Sequence, residues 1–273
     1  MREFLFDVNS AFIAAVLSVL MVLAIEAGYR LGRRRDGVTD EAFKSHVDSI
    51  AGALLGLLAL LLGFTLSLSL QRYDNRSEAV VDEANAIGTT WLRSQMLPAA
   101  NRGEMQAMLR EYVDLRVHAS TVTLADHTER ATLFDRTGSA QAALWDRARR
   151  IADQDPDPVR VGLFIQALNE MIDSFGRRDG ALNRHVPELV LLLLFATFLM
   201  AGAIVGYASG VAGHRTAFVT YIMIALIVVL VFVILDLDRP RRGLIQVSQK
   251  SLLDLQASMR TQAPVAPAAA AVR

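Results

Sequence analysis

Four stretches of the chain contain almost no charged side chains, and they limit the folds open to it more than any other feature. They cover residues 11–25, 50–70, 189–213 and 217–235, and the first continues past Glu26 to Tyr29. A helix needs about 20 apolar residues to cross the hydrocarbon core of a bilayer. Each stretch is therefore predicted to be a transmembrane helix. A hydrophobic content of 53% with 21% charged residues supports an integral membrane protein.

The first apolar stretch could be mistaken for a signal peptide. Signal peptides begin with a basic segment and end at a small-residue cleavage site. Here Arg2 is followed by the acidic residues Glu3 and Asp7, and no Ala-x-Ala site precedes Arg30. We therefore expect a retained helix.

The spacing of the four spans predicts two hairpins separated by a polar segment. Within that segment apolar residues recur at three- and four-residue steps, which is typical of helices. Asp157 followed by Pro158 predicts a helix start, and Asn101 with Glu104 resembles a capping box that would open another helix. No alternating β pattern occurs, so the predicted fold class is all-α. The predicted organisation is a first span with its loop (1–49), a second span (50–70), a helical soluble domain (71–188), a transmembrane hairpin (189–235), an amphipathic tail (236–260) and a disordered end (261–273).

Basic residues near the span ends give an expected orientation. An even number of spans places both termini and residues 71–188 on one side of the membrane. Counted within about 15 residues of the span ends, that side carries Arg2, Arg72, Arg76, Arg177, Arg178, Arg184, Arg239, Arg241, Arg242 and Lys250. The other side carries Arg30, Arg33, Arg34, Arg35, Lys44 and Arg215. Ten basic residues on the first side against six on the other favour a cytoplasmic location for the termini and the soluble domain.

Two spans carry ridges of small residues that permit close helix packing in lipid. Gly52, Gly56 and Gly63 share one side of the second span, together with Ala59 and Ser67, while the third span repeats glycine at Gly202, Gly206 and Gly210. Either ridge could pack against another helix of the same chain or against a neighbouring subunit.

The second span also carries candidates for lining a pore, namely Phe64, Thr65, Ser67, Leu68 and Ser69. A ring of Phe64 side chains from several copies could form a hydrophobic constriction, and the hydroxyl groups could line a hydrated path. The alternative is that Thr65 and Ser69 bond their own backbone carbonyls four residues earlier.

Charged residues cluster where the second and fourth spans leave the bilayer. The predicted juxtamembrane cluster consists of Arg72, Asp74, Arg76, Glu83, Asp236, Asp238 and Arg239. The residues after the second span could form a charged vestibule or a solvated surface of weak ion pairs. Those after the fourth span could tie the tail to the soluble domain, or bind anions or lipid headgroups.

Composition and motifs weigh against several functions. The net charge is zero, which argues against nucleic-acid binding. The chain has no cysteine, and its five histidines lack the spacing of metal sites. No phosphate-binding loop or nucleophile motif is present. The sequence therefore predicts no metal, no cofactor and no enzymatic activity.

Three sequence blocks resemble the bestrophin-like family of bacterial and plant membrane proteins. They are Leu61-Leu62-Gly63-Phe64-Thr65-Leu66-Ser67 with Arg72-Tyr73-Asp74, then Val81-Asp82-Glu83-Ala84-Asn85-Ala86-Ile87-Gly88-Thr89, and finally Leu235-Asp236-Leu237-Asp238-Arg239-Pro240. The resemblance implies a remote kinship with true bestrophins, which are pentameric, mainly anion-conducting channels whose second span lines an apolar neck. It makes Phe64 and its neighbours candidates for such a neck. The expected location is the bacterial inner membrane. Neither the neck motif nor the acidic calcium clasp of animal bestrophins has a match here.

Taken together, these features predict a homo-oligomeric, channel-like pore formed around the second span, conducting small ions and, by the resemblance, anions. The rival hypothesis is a non-conducting membrane scaffold or sensor whose helical domain docks a partner. It would be a monomer or dimer with an exposed apolar patch on that domain.

Overall fold

The computed structural model describes residues 9–34, 41–122, 127–155, 157–215, 218–239 and 244–261. Within these ranges the chain forms eight helices and no strand, which confirms the predicted all-α class. The helices are α1 (Ser10–Arg33), α2 (Glu41–Ser94), α3 (Ala99–Thr121), α4 (His127–Gln154), α5 (Pro158–Leu182), α6 (Glu188–Val211), α7 (Phe218–Asp238) and α8 (Lys250–Thr261).

Four of these helices, α1, α2, α6 and α7, are long and apolar enough to cross a membrane. They overlap the four predicted spans, although α6 ends at Val211, two residues before the predicted end of the third span. The second span continues without a break into a helix of 54 residues, as expected from the absence of proline or a polar turn after Leu70. Pro98 lies beyond the end of α2, and α3 begins at the next residue.

Helix starts show where local sequence reasoning succeeded and failed. The Asp157 side chain accepts hydrogen bonds from the backbone N–H groups of Val159 and Arg160, with Pro158 in the first turn, as predicted. The predicted capping box at Asn101 is wrong, because α3 already begins at Ala99 after Pro98 and has no side-chain cap. The fixed φ of Pro98 starts the helix without one.

The chain divides into two compact units. Unit 1 comprises Met1–Tyr73 and His185–Ile245, and unit 2 comprises Asp74–Arg184 and Gln246–Arg273. Unit 1 contains the four spans, and its core is formed by aliphatic side chains and Phe198. Within unit 1, α1 packs along α6 and also contacts α7.

Unit 2 is a helical bundle made of the last part of α2 with α3, α4, α5 and α8. Its core includes Ile87, Trp91, Tyr112 and Phe164, and α8 contributes Leu252 and Met259. The predicted amphipathic tail is therefore helical over Lys250–Thr261. Residues 262–273, for which disorder is predicted, lie outside the described part of the chain, as do Arg2, Arg35 and residues 240–243.

Candidate functional site: the second span and two buried charged clusters

The membrane segment of α2 leaves half of its circumference exposed within unit 1. One exposed stripe consists of small residues at steps of four, three, four and four, namely Gly52, Gly56, Ala59, Gly63 and Ser67. A neighbouring exposed stripe consists of large apolar residues, namely Leu57, Leu60, Phe64 and Leu68. A Cβ added to Gly52, Gly56 or Gly63 would meet no atom of the chain within 4 Å.

The small stripe distinguishes α2 from the other spans. The exposed positions of α1, α6 and α7 are occupied largely by bulky side chains, such as Leu23, Leu193 and Leu226. Bulky aliphatic side chains suit contact with lipid tails, whereas small residues permit the close approach of another helix. The small stripe of α2 therefore leaves room for the close approach of another helix.

The predicted pore-lining residues fall into two groups. Phe64 is 62% exposed, and Leu68 and Ser67 are also exposed. Thr65 and Ser69 are buried on the opposite side of α2, and the Thr65 hydroxyl donates to the Leu61 carbonyl at 2.6 Å. This is the hydrogen bond to the carbonyl four residues earlier that the sequence analysis gave as the alternative to pore lining for Thr65. Ser69 Oγ is buried without a hydrogen-bond partner among the described residues.

The glycines of the third span pack inside unit 1. A Cβ on Gly206 would overlap the backbone carbonyl of Ile25, one on Gly202 would meet the sulfur of Met21, and one on Gly210 the carbonyl of Tyr29. The glycine ridge on α6 thus lets the backbones of α1 and α6 come into contact. This is the first of the two alternatives, packing against another helix of the same chain.

The matching glycines of α1 are Gly28 and Gly32, which sequence reasoning missed. A Cβ on either residue would overlap a backbone carbonyl of α6. Their four-residue spacing is the small-xxx-small signal that could have revealed them.

The predicted juxtamembrane cluster is split between the two units, and its unit 1 part is rich in buried carboxylates. Asp236 and Asp238 are both buried at the end of α7. The two carboxylate oxygens of Asp236 accept hydrogen bonds from the backbone N–H groups of Leu244 and Ile245 at 3.1 and 2.9 Å. Asp238 accepts from the backbone N–H of Val186 at 2.9 Å. These carboxylates hold together the chain segments that enter and leave the spans.

The side chains of Arg72 and His185 lie near Asp238 at longer range. Arg72 Nε lies 4.0 Å from one carboxylate oxygen, and His185 Nδ1 lies 3.8 Å from the other and 3.1 Å from the Asp238 carbonyl oxygen. Arg239 is also buried. Four predicted members of the juxtamembrane cluster therefore lie in unit 1, namely Arg72, Asp236, Asp238 and Arg239. Its carboxylates join the end of α7 to the backbone at Val186, Leu244 and Ile245.

The unit 2 cluster is centred on Glu83, which is fully buried. One Glu83 oxygen accepts from Arg116 Nε at 2.6 Å, and the other accepts from Arg178 Nη1. Arg178 also donates to Gln249 Oε1 at 2.6 Å, and the Arg116 guanidinium lies over the Phe175 ring at 4.6 Å. The cluster therefore joins α2, α3, α5 and the segment before α8.

Two other predicted members of the juxtamembrane cluster behave differently. Arg76 is buried and donates to the carbonyl oxygens of Ala181 and Arg184 at 3.2 and 2.7 Å. It thereby satisfies carbonyls at the C-terminal end of α5, where a cation is favoured. Asp74 is exposed.

Burial and nearby charges shift the pKa values of Glu83 and Tyr112 in unit 2. Burial raises the pKa of Glu83, but the attraction and hydrogen bonds of Arg116 and Arg178 outweigh it, so the net pKa lies below the ordinary value. Burial, reinforced by the negative charge of Glu83, raises the pKa of Tyr112 to about 12. Gln141 Nε2 donates to the Tyr112 hydroxyl at 3.1 Å.

Sequence reasoning missed Arg116 and Arg178 as partners of Glu83. The available signal was weak: Arg116 lies on the same helical repeat as Leu109 and Tyr112, where an apolar residue is expected. Among the described residues, no group of three or more His, Asp or Glu side chains could hold a metal ion.

Comparison with known proteins assigns the family. The bestrophin-like domain family matches residues 12–252 of the chain. The chain belongs to the bestrophin-like family. A search of curated proteins finds no match to this bestrophin-like chain.

Solved structures share the fold of this bestrophin-like protein at low sequence identity. A point mutant of a bacterial bestrophin homologue from Klebsiella pneumoniae superposes with a TM-score of 0.65 at 13% identity, covering 92% of this chain and 97% of the other. A second mutant gives 0.64 at 14% identity, with the same coverage. A protein described only as a membrane protein gives 0.63 at 18% identity, covering 91% and 100%. Together with the four apolar helices, these matches establish an integral membrane protein with the bestrophin architecture.

Proposed function

We propose that the chain assembles into a symmetric homo-oligomer around an ion-conducting path lined by α2. Five copies and anion conduction are the form expected from the bestrophin-like family. The observation that carries this proposal is the exposed pair of stripes on α2, small residues beside large apolar ones.

Each stripe suits a different surface in a ring of subunits. Gly52, Gly56 and Gly63 permit a neighbouring helix to approach closely, which is the dominant source of helix association in lipid. Phe64 and Leu68 then turn toward the axis, where a narrow apolar ring can gate by excluding water. Ser67 is the last member of the small stripe. A pore-lining role for Thr65 and Ser69 remains a prediction. It requires that the ion path reach the side of α2 that is buried within the chain.

Flux through liposomes containing the purified protein tests conduction. We expect chloride flux, and we expect F64A to change it by widening the constriction. The matched control is F12A, because Phe12 on α1 is also 62% exposed. An absence of flux from a correctly assembled oligomer, or equal effects of the two substitutions, contradicts the proposal.

Native mass spectrometry tests the assembly and the role of the small stripe. We expect five copies, and we expect G56L to weaken assembly without unfolding unit 1, because Gly56 has open space around it. G206L should instead unfold unit 1, because Gly206 is in contact with the Ile25 backbone.

We further propose that the chain lies in the bacterial inner membrane with both termini and residues 71–188 in the cytoplasm. The absence of native cysteine permits a matched labelling test. Ser45 and Ser139 are both exposed. A membrane-impermeant maleimide should label S45C in intact spheroplasts and S139C only after permeabilisation. The reverse pattern inverts the topology.

One observation supports the alternative of a non-conducting scaffold or sensor. Phe134 and Trp145 are exposed on one side of α4 in unit 2, with Gly138 and Ala142 between them. Such an apolar stripe suits a docking partner. This function predicts a monomer or dimer in the same mass measurement.

A further inference from the structure

Four arginines lie together at one end of unit 1, where α1 and α6 end. They are Arg30, Arg33 and Arg34 at the end of α1 and Arg215 after the end of α6, and we name them the arginine end. The two helices finish side by side, because Gly32 of α1 contacts Tyr207 and Val211 of α6. All four side chains are exposed.

The contacts of these arginines leave most of their hydrogen-bond donors available. Arg33 Nη1 donates to the Gly213 carbonyl at 3.2 Å, and the Arg215 guanidinium lies 5.8 Å from the centre of the Tyr29 ring. Arg30 Nε pairs with Glu26 at 2.7 Å. A guanidinium has five N–H groups, so a single contact leaves several to bind another acceptor.

The charges at this end remain positive when nearby acids are counted. Counted along the sequence from Glu26 to Asp48 and including Arg215, six basic and five acidic residues leave a net charge of +1. The helix C-termini attract cations, but their carbonyl groups carry only a partial charge. The excess therefore suits a ligand with a full negative charge.

Apolar and aromatic side chains beside the arginines point to a lipid. Tyr29, Tyr207 and Tyr221 lie near this end of the spans, as aromatic residues do at the interface between membrane and water. Leu31 lies between Arg30 and Arg33 in α1, and Phe218 begins α7 three residues after Arg215. They expose 60% and 77% of their surface. A ligand with a phosphate headgroup and acyl chains matches both surfaces, whereas a free anion matches only the arginines.

We propose that the arginine end binds the phosphate headgroup of an anionic phospholipid, with Arg33 and Arg34 as the main contacts. The acyl chains lie along Leu31 and Phe218. This site is independent of ion conduction.

Native mass spectrometry of the purified full-length protein tests the site. The probes are phosphatidylglycerol and phosphatidylcholine with identical acyl chains, and inorganic phosphate. We expect phosphatidylglycerol to bind more tightly than phosphatidylcholine, and we expect each Arg→Gln change at Arg33 and Arg34 to weaken its binding about fivefold. R33K/R34K should retain most of the preference, because the charge is kept.

The matched control is R149Q/R150Q, which removes the same charge from two exposed arginines of α4. It should leave lipid binding unchanged. R34Q alone is the second variant, since Arg33 also contacts the end of α6. Equal binding of the two lipids, equal loss in the control, or unaltered binding in R34Q and R33Q/R34Q overturns the proposal. Binding of phosphate as tight as that of phosphatidylglycerol assigns the site to a free anion and also overturns it.

Discussion

The two units bury charge in opposite ways. In the described part of unit 1, Asp236, Asp238 and Arg239 are buried, so the buried charges sum to −1, and the carboxylates accept hydrogen bonds from backbone N–H groups. In unit 2 the corresponding sum is +2, from three arginines and Glu83. There Arg76 donates to backbone carbonyls, while Arg116 and Arg178 share Glu83.

This difference shows that a buried charge depends on the kind of partner that holds it. A carboxylate held by backbone N–H groups can lose its charge and still keep an acceptor oxygen. A carboxylate between two guanidinium groups cannot lose its charge at the same small cost. Its neutralisation leaves two buried cations uncompensated. The predictions below test this contrast.

The largest expected effect follows the change E83Q. Glutamine leaves Arg116 and Arg178 buried without a negative partner, which should cost about 3–5 kcal/mol of unfolding free energy. Thermal or urea unfolding of the purified protein in detergent measures it. The control E78Q alters an exposed residue of the same helix and should stay within about 0.5 kcal/mol of the unsubstituted protein. Similar losses of unfolding free energy in E83Q and E78Q would contradict the proposed dependence of Arg116 and Arg178 on Glu83.

The stabilising contribution of Glu83 should decrease at acidic pH. Because the folded state lowers the pKa of Glu83, its stabilising contribution is complete above the ordinary value of 4.5 and is lost as the pH falls through the lower folded-state pKa. The stability gap between the unsubstituted protein and E83Q should therefore close as the pH falls below 4.5. Unfolding at a series of pH values checks this, and a gap that stays constant contradicts it.

Tyr112 should make the unit sensitive to alkali by a smaller amount. Its folded-state pKa of about 12 lies above the ordinary value of 10. Unfolding becomes easier as the pH rises from 10 to 12, because the unfolded tyrosine ionises first, with a limit of about 2.7 kcal/mol. Phenolate absorbance should show a late-titrating component that Y112F removes. If Y112F leaves that component in place, it belongs to another tyrosine.

The smallest effect is expected from D238N in unit 1. Asparagine retains an oxygen for the Val186 N–H, and the partly solvated Arg72 lies 4.0 Å away. We expect a loss of about 1 kcal/mol, measured as for E83Q. D238A, which removes the acceptor altogether, should cost more. A loss from D238N as large as that from E83Q would show that the two clusters bury charge in the same way.

Several elements were predictable because their signals are local. The four spans follow from apolar length, and the unbroken α2 follows from the lack of a breaker after Leu70. The cap at Asp157 follows from its side chain and from Pro158. The Asn101 cap failed because Pro98 already supplies a helix start, and a local pattern does not decide between two competing starts.

The candidate site was less predictable because it depends on contacts between distant segments. Glu83 was singled out as a surface or vestibule charge, yet it lies in the core between Arg116 and Arg178. Gly206 was identified as a packing residue, but its partner segment around Ile25 and Gly28 was not. Helical spacing assigns a residue to a face and leaves the opposing helix unspecified.

By itself, the sequence determined the membrane class, the number of spans, the all-α character and the family resemblance, because apolar length and helical period are properties of contiguous residues. Only the tertiary structure decided which side of α2 stays exposed, which glycines pack within the chain, and which charges are buried together. Those outcomes depend on which faces meet when segments more than 90 residues apart, such as Glu83 and Arg178, come into contact.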